Sequence, residues 1–327
     1  MFPRILITGG AGFIGSNFVR YYIQNHPESQ IFVLDKLTYA GHLPSIQDLI
    51  DDKKLVFTQG DISDSDFIMN YFKKHKFDCV INFAAETHVD RSIEDPNPFI
   101  LTNIVGTHNL LAASLATDVQ RYHQVSTDEV YGDLGEGSTN LMTETTPLAP
   151  NCPYAAAKTS ADLLVRSYFE TYGMNATISR CSNNYGPYQY PEKLVPLFFK
   201  LATEDKPLPI YGDGNYVRDW LYVLDHCQAL DLILEKAKPG SIYNIGGNNE
   251  RSNLDITAYI LDFLGKPADL ITHVEDRKAH DRRYAIDASL IKQDLGWEPT
   301  VPFEKGIQMT FDWYKDNQNW VNQVIQD

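Results

Sequence analysis

The chain has 327 residues, 43% of them hydrophobic and 22% charged, which suits a globular α/β enzyme and excludes a disordered or disulfide-built chain. Its 43 acidic against 28 basic side chains give a formal net charge of -15. That balance disfavours nucleic acid or an anionic membrane as partner, while a small anionic ligand can still be held by local Arg and Lys residues.

Cys79, Cys152, Cys181 and Cys227 show no paired spacing, so reduced thiols and a cytoplasmic setting are expected. No His-x-x-x-His or Cys-His cluster occurs, so no protein-held metal is expected. The apolar run before Gly9-Gly10 is too short for a signal-peptide core or a membrane span.

Along the chain, short β-branched runs at 5–7, 31–34, 55–57 and 80–83 read as buried strands. Helical patterns lie between them at 13–25, 43–50 and 66–74. Alternation of this kind predicts an α/β fold with a doubly wound parallel sheet of Rossmann type. Helices at 98–116, 153–172 and 194–202 and strands at 122–126 and 177–181 continue the series. After about residue 185, Pro187, Pro191, Pro207, Pro209, Gly212 and Gly214 predict loops and short elements. A smaller C-terminal region, partly interleaved with the first, is expected there.

Thr8-Gly9-Gly10-Ala11-Gly12-Phe13-Ile14-Gly15 follows the first strand and opens the first helix. Glycine lets this backbone turn tightly and approach a pyrophosphate lying against the positive end of the helix. Asp35 ends the second strand, placed to accept hydrogen bonds from adenosine ribose hydroxyls and to repel a 2′-phosphate. NAD is therefore expected over NADP, with the cation of Lys36 as a counterweight. Asp61 and Ile62 follow the third strand and are placed at the adenine, a helix cap being the alternative for Asp61.

Tyr154 and Lys158 are four apart and share a helix face. A phenol ordinarily titrates near 10, so the ammonium is expected to lower it and make Tyr154 a base for a sugar hydroxyl. Thr127 closes a strand just before the adjacent carboxylates Asp128 and Glu129. Eliminating water needs an acid and a base together, with pKa values pushed apart by their surroundings. A solvated acidic turn is the bland alternative.

Thr-Gly-x-x-Gly-x-x-Gly with a later Tyr-x-x-x-Lys resembles the extended short-chain dehydrogenase/reductase family. Asp128-Glu129, together with stretches at 35–41, 86–92, 180–187 and 281–284, is similar to its glucose-nucleotide 4,6-dehydratase branch, the dTDP-glucose members in particular. The resemblance implies a 4-keto-6-deoxy product formed by transient oxidation at C4, elimination across C5 and C6, and hydride return. Glu129 would take the C5 proton and a protonated Asp128 would donate to the 6-hydroxyl. UDP-glucose as substrate, epimerisation or decarboxylation of a UDP-sugar, and a non-catalytic NAD-binding sensor stay open as alternatives.

The same resemblance places Thr38, Ala84, Ala85, Glu86, Thr87 and Asn184 along the cofactor. For the nucleotide sugar it implies His88, Thr127, Asn183, Lys193, Leu194, Pro209, Tyr211, Arg218, Asn253, Arg277 and His280. A structural Arg218–Asp219 pairing and a helix cap at Asn253 are the rival readings. Lys278-Ala279 stands where the family usually has Pro-Gly, which adds a charge and removes a rigid turn. Residues 1–185 are expected to bind NAD, with later segments interleaved, and 186–327 mainly the nucleotide sugar. The helices at 98–116 and 153–172 are apolar on more than one face, and the resemblance implies a homodimer through a four-helix bundle. Burial within one subunit is the alternative.

Overall fold

The computed structural model describes residues Met1–Gln326. Twelve strands occur among them. In chain order they are β1 (Arg4–Thr8), β2 (Gln30–Asp35), β3 (Val56–Gln59), β4 (Cys79–Asn82), β5 (Arg121–Thr127), β6 (Ala176–Cys181) and β7 (Asn183–Tyr185). Then come β8 (Leu208–Tyr211), β9 (Val217–Tyr222), β10 (Ile242–Ile245), β11 (Glu250–Ser252) and β12 (Ile271–Val274). Seven of them form one parallel sheet in the order β10-β6-β5-β4-β1-β2-β3. The doubly wound Rossmann-type expectation holds.

Successive strand residues face opposite sides, so each strand supplies two cores. Ile5, Ile7, Ile31, Val33 and Ile81 pack with Phe18 of the helix Phe13–Asn25 and with Leu230 and Ile233 of the helix Val223–Lys236. Leu6, Phe32, Leu34 and Val80 pack on the other face, with Ile68, Leu110 and Val165. Each such buried side chain contributes about 1.5–3 kcal/mol of hydrophobic stabilisation, before entropy is counted against it. A third core joins Phe198, Phe199, Ile256, Phe311 and Tyr314 beside the small sheets β11-β9-β7 and β12-β8.

Three expectations need correction. Residues 43–50 are not one helix: a single turn at Leu43–Ser45 and a helix at Gln47–Asp51 meet at Ile46, whose φ of -134° breaks the run. Ile46 is fully buried, so packing outweighs local helix propensity there. The stretch after 185 is not mainly loops. It carries helices at Val223–Lys236, Asn253–Leu264 and Phe303–Asp316, and Val223–Lys236 with β10 joins the main sheet. The helix Asn97–Ala116 is not regular either: Ile100–Gly106 is wound wider, as a π-helix.

Asn97–Ala116 is apolar and long enough to span a membrane by length and composition, yet half of it is buried inside the fold. It packs beside the helix Pro153–Tyr172. Ile100, Leu101, Leu115, Leu163 and Tyr172 stay exposed on this pair of helices, Leu101 and Leu163 each at 53%. All four cysteines are buried free thiols.

Candidate active site

The chain runs outward from β1 through β2 to β3, then returns to place β4 on the other side of β1. That reversal opens a crevice at the carboxyl ends of β1 and β4. Gly9 turns out of β1 with φ +68°, and a Cβ there would meet the Ala84 backbone nitrogen at 2.6 Å. A Cβ on Gly15 would meet the Gly9 carbonyl oxygen at 2.2 Å. The helix Phe13–Asn25 starts after Gly12 with no side-chain cap, so its first N–H groups are left to a ligand. A cradle that a Cβ would fill, against a bare helix start, fits a pyrophosphate.

The crevice is a cavity of about 300 Å³. Every cofactor and catalytic position assigned from sequence lines it: Gly9, Gly12, Phe13, Ile14, Gly15, Asp35, Lys36, Thr38, Asp61, Ile62, Ala84, Ala85, Glu86, Thr87, Thr127, Asp128, Glu129, Tyr154, Lys158 and Asn184. Asp35 accepts from the Ala11 and Leu37 N–H groups at 2.9 and 2.8 Å, one on each oxygen. A carboxylate has about four acceptor sites, so ribose hydroxyls can still be received. Lys36, next to Asp35 in the chain, lies 2.7 Å from Asp61, which ties up its charge. Asp61 therefore neutralises Lys36 and does not cap the next helix, whose cap is Asp64. The wide turn at Ile100–Gly106 aims Asn103 at Glu86, accepting from its N–H at 2.9 Å and donating to its carbonyl at 3.0 Å.

At the other end of the cavity, Thr127 closes β5, and its hydroxyl caps the single turn Asp128–Tyr131. Burial, then the Glu129 and Asp219 carboxylates, pushes the Asp128 carboxyl well above its ordinary range. Burial raises Glu129 too, but Arg277, Arg218 and Lys193 pull it back. The two adjacent carboxyls thus sit in different fields, one favouring the acid and the other nearer the carboxylate.

Tyr154 and Lys158 line the cavity together. Lys158 donates to the Val125 carbonyl at 2.7 Å. Burial, followed by Glu129, Cys181 and Cys152, drives the Tyr154 phenol well above 10, and the Thr127 hydroxyl is the counteracting group. Burial and the neighbouring acidic groups therefore favour the protonated form of this phenol.

The substrate positions divide. Asn183 and Lys193 line the cavity, Lys193 donating to the Thr87 carbonyl at 3.2 Å. His88, Leu194, Pro209, Tyr211, Arg218, Asn253, Arg277 and His280 do not. Arg218 is buried, donates to the Val217 and Asp281 carbonyls and lies 4.5 Å over the Tyr284 ring. It does not pair with Asp219, which accepts from Gly247 and Asn249. His280 stacks on Tyr216 at 3.5 Å, bonds Asp276 at 2.7 Å and is pushed down to about 4, mainly by burial. Asn253 is the first residue of its helix, whose cap is Ser252 with Asp255 completing a capping box.

Thr102, Gln189, Tyr190 and Glu192 also line the cavity and were not anticipated. Glu192 adjoins Lys193 and could have been found from it. Thr102 had no sequence signal, because it faces inward through the widened turn.

A family model described as GDP-mannose 4,6 dehydratase matches residues 6–310. A dTDP-glucose 4,6-dehydratase of Xanthomonas campestris pv. campestris is 49% identical, covering 98% of this chain and 95% of the relative. One from Escherichia coli K12 is 48% identical with the same coverage. Among solved structures, the dTDP-glucose 4,6-dehydratase of Bacillus anthracis in complex with NAD has a TM-score of 0.91 at 46% identity, covering 98% of this chain and 99% of that one. The Streptomyces venezuelae enzyme with NAD and TYD bound scores 0.94 at 43% identity, with the same coverage. With the crevice, the Tyr-Lys helix and the paired carboxylates in one cavity, this chain belongs to the dTDP-glucose 4,6-dehydratase family.

Proposed function

We propose that this chain converts dTDP-glucose into dTDP-4-keto-6-deoxyglucose and water, using NAD. The observation that carries the reading is the placement of Asp128 and Glu129, in unequal fields, in the same cavity as Tyr154 and the Gly9–Gly15 turn. NAD bound in relatives of 46% and 43% identity supports the cofactor. Asp35, with Lys36 neutralised by Asp61, supports NAD over NADP.

NAD would lie along Gly9–Gly15, Asp35 and Ala84–Thr87, where, when bound, it takes up the hydride lost at C4 and returns it at C6. Tyr154 receives the C4 hydroxyl proton, with Thr127 bonded to the same oxygen. Burial opposes a Tyr154 phenolate, and Lys158, one helical turn on and lining the same cavity, is the chain's own cation that would offset it. Once C4 is a ketone, its carbonyl stabilises charge at C5. Glu129 then takes the C5 proton, and Asp128 gives its own proton to the departing 6-hydroxyl, so water leaves. Glu129 returns its proton to C5 as the hydride arrives at C6. Tyr154 releases the C4 hydroxyl proton to solvent and Asp128 takes one up, so each group is reset and the net loss is one water.

Lys193, Arg218 and Arg277 supply the charge that a diphosphate needs. Asn183, His88, Leu194, Pro209, Tyr211, Asn253 and His280 complete the nucleotide-sugar site in this reading. Residues 1–185 form the NAD-binding part, with Val223–Lys236 and β10 interleaved, and 186–327 mainly the sugar-nucleotide part. The exposed apolar residues on Asn97–Ala116 and Pro153–Tyr172 support a homodimer through a four-helix bundle, and the free thiols a cytoplasmic setting.

The test is incubation of the purified protein and NAD with dTDP-glucose and, separately, UDP-glucose, followed by mass spectrometry. The dTDP sugar should lose one water. Recovery of both sugars at unchanged mass would sink the proposal, and loss of water from UDP-glucose alone would reassign the base.

A further inference from the structure

The turn that bears the paired carboxylates packs Val130 and Tyr131 against Met142 and Ile286, and its Val130 carbonyl accepts from the Ala149 N–H at 3.1 Å. Thr127 caps its start, and Gly132, with φ +81°, ends it after four residues. A Cβ on Gly132 would meet the Ala149 carbonyl oxygen at 2.2 Å, so the chain leaves the turn in close contact with that loop. The far end is anchored by a side chain. The Tyr131 hydroxyl donates to Asn244 Oδ1 at 2.7 Å and accepts from Arg180 Nη1 at 3.0 Å, and the Arg180 guanidinium lies 4.9 Å over the Tyr131 ring.

Arg180, on β6, also donates through Nε to Asp162 Oδ2 at 2.9 Å. Asp162 lies one and two helical turns beyond Lys158 and Tyr154, on the same face of Pro153–Tyr172. Asn244, on β10, is itself held: its N–H donates to Glu144 at 2.8 Å and its amide to the Met142 carbonyl at 2.9 Å. Asp162, Arg180, Tyr131 and Asn244 are each at most 3% exposed. One buried path thus joins the helix of the hydride-transfer residues to the turn of the elimination residues.

We infer that Tyr131 is a positioning residue for elimination, setting where Asp128 and Glu129 stand relative to a sugar already held by Tyr154. Thr127 does not depend on this anchor, because β5 pairs it with Cys181. Loss of the Tyr131 hydroxyl therefore displaces the carboxylates and leaves the oxidation geometry in place. Misplacement of a reacting group by about 1 Å costs roughly 10²-fold in rate.

The inference rests on the dehydratase reading, and the experiment separates the two. Wild type, Tyr131→Phe and Arg180→Lys are each mixed with NAD and dTDP-glucose in deuterated buffer. Absorbance of reduced nicotinamide, deuterium at C5, product mass and affinity for dTDP are followed. Arg180→Lys keeps a charge against Asp162 while losing the second arm that reaches Tyr131. In both variants, reduced nicotinamide should accumulate while C5 exchange and product formation fall about 10²-fold, with dTDP affinity unchanged. Wild-type rates in the variants, or equal loss of oxidation and elimination with no reduced nicotinamide building up, overturn the inference. Should Tyr131→Phe fail to fold, the same two outcomes in Arg180→Lys decide it. Failure of the wild type itself to convert dTDP-glucose overturns the dehydratase reading and the inference with it.

Discussion

Asp128 and Glu129 share a peptide bond but not an environment, and this has a consequence for stability that is separate from turnover. Asp128 binds its proton more tightly in the fold than in the open chain, because burial and two neighbouring carboxylates oppose its charge. The stability it contributes is complete below the unfolded carboxyl value of about 3.9 and is lost as pH rises through the raised folded value. The amide of Asp128→Asn does not titrate. The variant should therefore melt above wild type at neutral pH and close to it near pH ~4. Parallel melting curves across that range, with no narrowing of the gap, would refute the assignment of Asp128 as a protonated acid. Ala279 gives a second residue-scale prediction. It has φ +50°, the left-handed region that costs a residue with a Cβ about 1–2 kcal/mol, and it stands where the family usually has glycine. Strain relief exceeds the entropy gained by the unfolded chain, so Ala279→Gly should raise stability by about 0.5–1 kcal/mol in urea unfolding, and a destabilised variant would refute strain at this position.

Among the elements, the widened turn in Asn97–Ala116 decides how the segment after β4, which carries Glu86, meets the cofactor crevice. A regular helix would turn Asn103 to a different bearing, and the buried N–H and carbonyl of Glu86 would lose their partner. Each buried backbone group left unpaired costs about 1–3 kcal/mol. Asn103→Ala should thus destabilise the protein by about 2–4 kcal/mol and weaken NAD binding in calorimetry. Full stability in this variant would mean that Glu86 finds other partners.

For the whole molecule, the exposed apolar residues along two adjacent helices are the feature that a single copy leaves unexplained. Exposed apolar side chains collected on one pair of helices favour association. Arginine at both Leu101 and Leu163 places charge in the middle of the proposed four-helix interface. Leu101→Arg/Leu163→Arg should sediment as a monomer where wild type sediments as a dimer. Identical sedimentation of the two would remove the bundle from the proposal.

Local sequence determined much of this protein. The Gly9–Gly15 turn, Asp35 at a strand end and the Tyr154–Lys158 spacing each depend on residues a few positions apart, so strand, turn and helix rules reach them. The continuous apolar runs of β1, β2 and β4 likewise announce a sheet buried on both faces. What the chain does with those residues was decided in three dimensions. Lys158 donates to the Val125 carbonyl, Lys36 pairs with Asp61, and Arg218 bonds two carbonyls and lies over a ring instead of pairing with its neighbour Asp219. The break at Ile46 and the interleaving of β10 also follow from burial against distant strands. Partners in a folded core are chosen by the lack of water, which penalises every unpaired charge and polar group, and that choice has no signature at short sequence range.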